Sequence, residues 1–212
     1  MATIKDFKDK HKGEPCFLIG TGPSLNDVDV SLLDDKLTFG CSRAFLMPNL
    51  KLNYYGVESE RTVKQALLGV EMLECDAKFI PMRFKNTYFG NNTVFVNFPH
   101  SYPDFPKFSF DCEEIVYWGC NVLYMLLQIA TYMGCNPLYL LGIDWWTSGE
   151  DMKLHFHAKD IITNYDPPRV DVQNQGMTYA AKVLKEHGVR VYNLCSTSHL
   201  KVFPFKKLGE VL

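Results

Sequence analysis

Cys16-Phe17-Leu18-Ile19-Gly20-Thr21-Gly22-Pro23-Ser24 decides the fold. Four apolar residues in a row, ended by glycine, read as a strand buried on both faces, which is the signature of a parallel sheet. Gly20 and Gly22 permit positive φ and let backbone N–H groups approach a phosphate or ribose closely. Pro23 stiffens the turn, and Ser24 can cap the next helix or donate its hydroxyl. The loop is neither the six-residue dinucleotide fingerprint nor a P-loop, because no Gly-Lys-Ser/Thr follows.

The same alternation continues outward from this strand. Leu37 to Cys41, Leu52 to Val57 and Lys78 to Pro81 read as further strands. Val63, Ala66, Leu67, Val70 and Leu73 recur at helical spacing between residues 58 and 74. After a helix at about 120–133 come a strand from Pro137 to Gly142, a polar loop from Trp145 to Gln173, a helix at about 174–187 and a strand from Val189 to Leu194. Strands alternating with helices predict an α/β protein with a Rossmann-like, doubly wound, mostly parallel sheet and helices on both faces. Residues 83–117 hold seven Phe, three Tyr and several prolines with no helical period. They are expected to form a lid, or an irregular aromatic-rich insertion, over a cleft within a single 1–212 domain.

Composition narrows the function classes. A chain of 212 residues buries enough surface to fold without disulfides or metal. The net charge is −2 with no basic stripe, which argues against nucleic acid as a partner. Residues 1–15 are polar, and no apolar run approaches the roughly 20 residues needed to span a bilayer. Seven scattered cysteines without CxxC or Cys/His zinc spacing read as reduced core thiols. The expectation is a cytoplasmic protein without a transmembrane segment, its oligomeric state open and a homo-oligomer included.

Strand ends supply the candidate site residues, because ligands in an open parallel sheet bind beyond the carboxyl ends of the strands. Leu140-Leu141-Gly142-Ile143-Asp144 delivers a carboxylate to that edge, suited to a ribose or base hydrogen bond, a metal, or a helix cap. One of Trp145 and Trp146 could stack on a ring. Ser42 and Arg43 follow the second strand, and the Arg43 fork suits a phosphate. Glu58 follows the third strand, and Ser196, Thr197 and Ser198 follow the last. His155-Phe156-His157 offers a general acid or base near neutral pH but no evident third ligand for zinc. Asp160, Asp166 and Asp171 lie in the same polar loop.

Four stretches, taken in order, resemble the MptE-like domain family and, more distantly, bacterial sialyltransferases that use CMP-sialic acid. They are Phe17 to Leu25; Leu127-Gln128-Ile129-Ala130-Thr131-Tyr132-Met133-Gly134 leading to Tyr139-Leu140-Leu141-Gly142-Ile143-Asp144; His155-Phe156-His157; and Val191 to Ser196 leading to Leu200-Lys201-Val202-Phe203-Pro204. The first resemblance implies diphosphate transfer from ATP to a hydroxymethyl-pterin with magnesium. The second implies CMP held on the glycine loop and a sugar moved to an acceptor hydroxyl without metal. Where the sialyltransferases carry asparagines after the first loop glycine and after the second strand, this chain has Thr21 and Ser42. Where they place a histidine before the penultimate helix, it has Asp171.

These readings combine into one expectation. The chain is a transferase using a nucleotide-sugar donor, CMP- or UDP-linked, and a small-molecule or glycan acceptor. Gly20, Thr21, Gly22, Pro23, Ser24, Ser42, Arg43 and Asp144 would hold the nucleotide, and His155, His157 or Asp171 would act as the base. The alternatives are a magnesium-dependent diphosphokinase and a non-catalytic nucleotide- or sugar-binding module.

Overall fold

The computed structural model describes residues 2–145, 150–158, 162–165 and 169–212. Along the chain run β1 (Cys16–Ile19), β2 (Leu37–Cys41), β3 (Tyr54–Gly56), α1 (Glu60–Met72), β4 (Ala77–Pro81), β5 (Thr93–Val96), α2 (Val122–Tyr132), β6 (Leu138–Leu141), β7 (Glu150–Met152), β8 (Ile162–Tyr165), α3 (Val170–Glu186) and β9 (Val191–Asn193). Seven strands form one all-parallel sheet in the order β5-β4-β3-β2-β1-β6-β9, and β7 and β8 form a separate antiparallel pair. The chain winds from β1 outward to β5, then returns to place β6 on the other side of β1. The topological switch point therefore lies between β1 and β6, where the connections leave in opposite directions and open a crevice.

Alternating side chains of the strands feed two cores. Cys16 and Leu18 of β1 join Leu123, Leu126 and Leu127 of α2 and Met177, Ala180 and Leu184 of α3. Phe17 and Ile19 point the other way, to Val63 and Val70 of α1 and to Leu25, Val30 and Leu33 of two short 3-10 turns. Every residue of β1 is buried, as its unbroken apolar run requires. The sheet is thus covered on both faces, the doubly wound arrangement expected. All seven cysteines are free thiols.

Residues 83–117 pack along the sheet edge and α2, and Arg83 and His100 of this segment lie 3.5 and 3.9 Å from Glu58 Oε2 at the cleft. Thr93–Val96 is an edge strand paired in parallel with β4, and Val94, Val96, Phe98, Cys112 and Val116 enter the core beneath α2. Gln128, fully buried in α2, holds the rest of the segment in place. Its Oε1 accepts from the N–H groups of Ser109 and Tyr117, both at 2.9 Å, and its Nε2 donates to the carbonyls of Tyr117 (2.8 Å) and Tyr124 (2.9 Å). A segment without regular structure must satisfy its buried backbone groups somewhere, and one amide side chain meets three of them here. Of its aromatic rings, Phe89 and Phe98 are buried, while Tyr88 is exposed.

The described residues between Trp145 and Gln173 include regular structure that the polar composition does not predict. They contain the β7–β8 pair, and α3 begins at Val170, about a turn earlier than its apolar spacing indicates. Asp171, Gln173 and Asn174 hide that first turn in sequence, although an acidic residue there complements the helix dipole. No helix among the described residues is long and apolar enough to cross a membrane.

Candidate active site

The glycine loop and the β6 end interlock at the switch point. The Gly20 N–H donates to the Leu141 carbonyl and the Gly22 N–H to the Gly142 carbonyl, each at 2.8 Å. Asp144 receives the Ser24 N–H at 3.1 Å on Oδ1 and the Ser24 hydroxyl at 2.7 Å on Oδ2. Both glycines are demanded by this closeness. A Cβ on Gly20 would lie 2.4 Å from the Gly142 carbonyl oxygen, and one on Gly22 would lie 1.8 Å from Asp144 Oδ2. The N–H groups of Gly20, Gly22 and Ser24 are accordingly turned on the protein rather than presented to a ligand. Asp144 acts as the cap of the short turn that Pro23 opens (Pro23–Asp27).

Around this seam lies a cleft of about 690 Å³. Its floor is Gly20 to Gly22 with Gly142 to Trp145, and Cys41, Ser42 and Arg43 rise from the end of β2. Ser59, Arg61 and Thr62 bring the N-terminus of α1 to the cleft, and Asn121, Val122 and Leu123 bring that of α2. Ser59 and Asn121 cap those helices through the N–H groups of Thr62 and Tyr124. Ser42 adopts φ +50° and is fixed through its backbone: its N–H donates to the Gly56 carbonyl (2.9 Å), and its carbonyl accepts from the Tyr55 hydroxyl (2.6 Å). Arg43 is bonded to Gln65.

The charge balance of the cleft follows from these partners. Both described carboxylates that line it are engaged, Asp144 by Ser24 and Glu58 by Arg83, whose Nη2 lies 3.5 Å from Oε2. Burial raises the Glu58 carboxyl above its ordinary range, and Arg83 opposes the rise. Two guanidinium groups and the positive ends of two helices remain facing the cavity, an arrangement that favours an anion.

The two histidines arrive on a loop pinned to the glycine loop. The Phe156 N–H donates to the Thr21 carbonyl at 2.8 Å, Asn26 Nδ2 donates to the Phe156 carbonyl at 3.3 Å, and Phe156 is buried as part of the core on the α1 face of the sheet. His155 Nδ1 meets the Thr21 hydroxyl at 2.9 Å. The His155 and His157 rings stack at 5.1 Å between centroids. Burial, the neighbouring His157 and the cations Arg43 and Arg61 lower His155 to about 4. Burial and then Arg43 lower His157. His157 Nε2 is buried without a partner. His155 lines the cleft, and Nδ1 is the nitrogen engaged by Thr21 among the described residues.

Most of the residues singled out from the strand ends do converge. Gly20, Thr21, Gly22, Ser42, Arg43, Glu58, Asp144, Trp145, His155 and His157 line the cleft. Trp145 is buried, with its Nε1 donating to Asn174 Oδ1 at 2.7 Å. Asp171 does not converge: the early start of α3 puts it on the exposed first turn, while Gln173, two residues on, lines the cleft. Pro23 and Ser24 shape the loop from behind. Ser196, Thr197 and Ser198 belong to the turn after β9, where the Ser198 hydroxyl accepts from the Leu200 N–H at 3.1 Å. Trp146, Asp160 and Asp166 lie outside the described residues. Arg61, Thr62, Asn121 and Gln173 were not foreseen, although the Ser59 and Asn121 caps mark helix starts next to strand ends. Among the described residues no three His, Cys, Asp or Glu side chains converge as a metal site.

The sheet order and the crevice at β1/β6 define an α/β protein of Rossmann-like fold. No family model and no curated protein sequence matches the chain. Among solved structures it is similar to the MAf glycosyltransferase from Magnetospirillum magneticum AMB-1, with a TM-score of 0.62 and 13 % identity over 99 % of the chain, which spans 38 % of that protein. It is similar to the sialyltransferase CST-II in complex with trisaccharide acceptor and CMP, with a TM-score of 0.54 and 16 % identity, covering 91 % of this chain and 85 % of that one. The monofunctional alpha-2,3-sialyltransferase Cst-I from Campylobacter jejuni gives 0.51 and 18 %, over 91 % and 80 %. At these identities the likeness is one of fold.

Proposed function

We propose that the chain is a transferase that binds a nucleotide-sugar donor and moves its sugar to an acceptor hydroxyl without a metal ion. The observation that carries this reading is the charge balance of the cleft: Arg43, Arg61 and the N-termini of α1 and α2 face a cavity whose described carboxylates are already engaged. The phosphate of a donor would sit against the guanidinium groups, and Ser42 would reach the nucleoside. Charge developing on the departing phosphate meets fixed positive partners, the term that contributes most in reactions of this kind. His155 Nε2 takes the acceptor proton, a step worth about 10²–10⁴-fold. In the empty cleft His155 is a weak base, lowered in part by Arg43 and Arg61. A bound phosphate offsets those two cations and moves the imidazole toward neutral pH, where a general base is most effective.

CMP is present in the sialyltransferase complex of similar fold, which makes cytidine the first base to try. A thermal-shift panel of CMP, UDP, GDP and ATP, with and without magnesium, tests the reading. Stabilisation by CMP or UDP in the presence of a chelator is the expected result, about 2.7 kcal/mol at a ligand concentration 100 times Kd. A response to ATP alone, and only with magnesium, overturns it in favour of a diphosphokinase.

A further inference from the structure

Thr21 occupies the place in the glycine loop where a nucleotide contact is expected, yet its hydroxyl is turned to an imidazole. It lies 2.9 Å from His155 Nδ1. We propose that Thr21 is the positioning residue of His155: its hydroxyl accepts the hydrogen bond of Nδ1–H and leaves Nε2 as the proton-accepting nitrogen on the cleft. The inference rests on His155 being the base of the proposed transfer.

Three features of the site support it. A neutral imidazole carries one N–H, and the Thr21 hydroxyl can accept from Nδ1–H, a form that an imidazole without this partner loses. The opposite tautomer would aim an N–H dipole from Nε2 into a cavity that already faces Arg43 and Arg61, whereas the bare nitrogen presents its negative end to those cations. The loop is also held independently of the hydroxyl, by the Phe156 N–H on the Thr21 carbonyl, by Asn26 on the Phe156 carbonyl and by the buried Phe156 ring. Thr21 thus has a task for its side chain distinct from the task of its backbone. His157 also lines the cleft, but its Nε2 is buried without a partner among the described residues.

The test is an NMR measurement of the imidazole nitrogens in the full chain at pH 7, with His155 assigned by loss of its signals in His155→Ala. The wild type is expected to show His155 protonated at Nδ1 and bare at Nε2. Thr21→Ser keeps that tautomer, because it keeps the hydroxyl. Thr21→Val populates the Nε2–H form, while the other histidines stay unchanged. A wild-type His155 carrying its proton on Nε2, or a tautomer that is the same in Thr21→Val, overturns the proposal. Should the valine variant not fold, the wild-type tautomer and the serine variant still decide it. No nucleotide is needed, so a failed thermal-shift panel and a failed tautomer assignment are separate results.

Discussion

The two sides of the cleft use polar groups in opposite ways. On the β1/β6 side, Gly20 and Gly22 bond to the Leu141 and Gly142 carbonyls, Ser24 to Asp144 and Thr21 to His155, and the loops lie so close that neither glycine has room for a Cβ. On the β2/β3 side, Ser42, Arg43, Arg61 and two helix N-termini line the cavity, with Arg43 bonded to Gln65. In the proposed function the first side holds the loop and carries the base His155, and the second is the recognition surface. The glycine motif that announces the site in sequence is therefore not what touches the ligand's charge. It sets the shape in which His155 and the arginines can.

Substitutions on the two sides should separate stability from binding. The largest expected effect is on turnover: His155→Ala lowers the rate of transfer or donor hydrolysis about 10²–10⁴-fold, with CMP affinity little changed. An unchanged rate would remove His155 from the reaction. Next, Arg43→Ala weakens CMP binding about 10- to 100-fold, the worth of one charged hydrogen bond at roughly 1.5–3 kcal/mol, without lowering the melting temperature. Asp144→Asn is expected to do the reverse, costing about 1–3 kcal/mol of stability while affinity stays within a few-fold. Calorimetry of both variants decides between the two sides. Gly22→Ala must push Asp144 away from Ser24 and should cost about 1–3 kcal/mol by chemical denaturation. An undisturbed midpoint would show the loop to be looser than described.

The smallest effect is a pH dependence of the β1/β6 side. His155 is lowered to about 4 in the folded chain from its ordinary 6.5, so folding favours its neutral form. That contribution is fully present above pH 6.5 and is lost as the pH falls from 6.5 toward 4. The ring is partly open to solvent, which discounts the loss to on the order of 1–2 kcal/mol. Denaturation midpoints at pH 7 and pH 4.5, compared between wild type and His155→Ala, should converge at the lower pH.

Legibility in the sequence follows the same division. β1 announces itself because four buried apolar residues end at glycine, and the placement of Asp144 beside the loop follows from parallel strands sharing one carboxyl edge. The direction of the Asp144 bonds does not follow, since a carboxylate at that edge can cap a turn or hold a ligand equally well. β5 is hidden because Thr93–Val96 is an edge strand, buried on alternate residues only, within an Asn- and Pro-rich stretch. Gln128 is hidden because its partners are backbone groups of Ser109 and Tyr117, which carry no sequence mark. Arg61 and Asn121 reach the site from helix starts, so strand ends alone do not reveal them, and Asp171 lies off the cleft lining because α3 begins a turn early.

Isothermal titration of CMP into the chain, in chelator, with Arg43→Ala and Asp144→Asn alongside, tests the division of labour most directly. The account predicts saturable binding without metal that Arg43→Ala weakens at least about tenfold and Asp144→Asn leaves nearly intact. Binding that depends on magnesium, or that is lost with Asp144 and indifferent to Arg43, would contradict it.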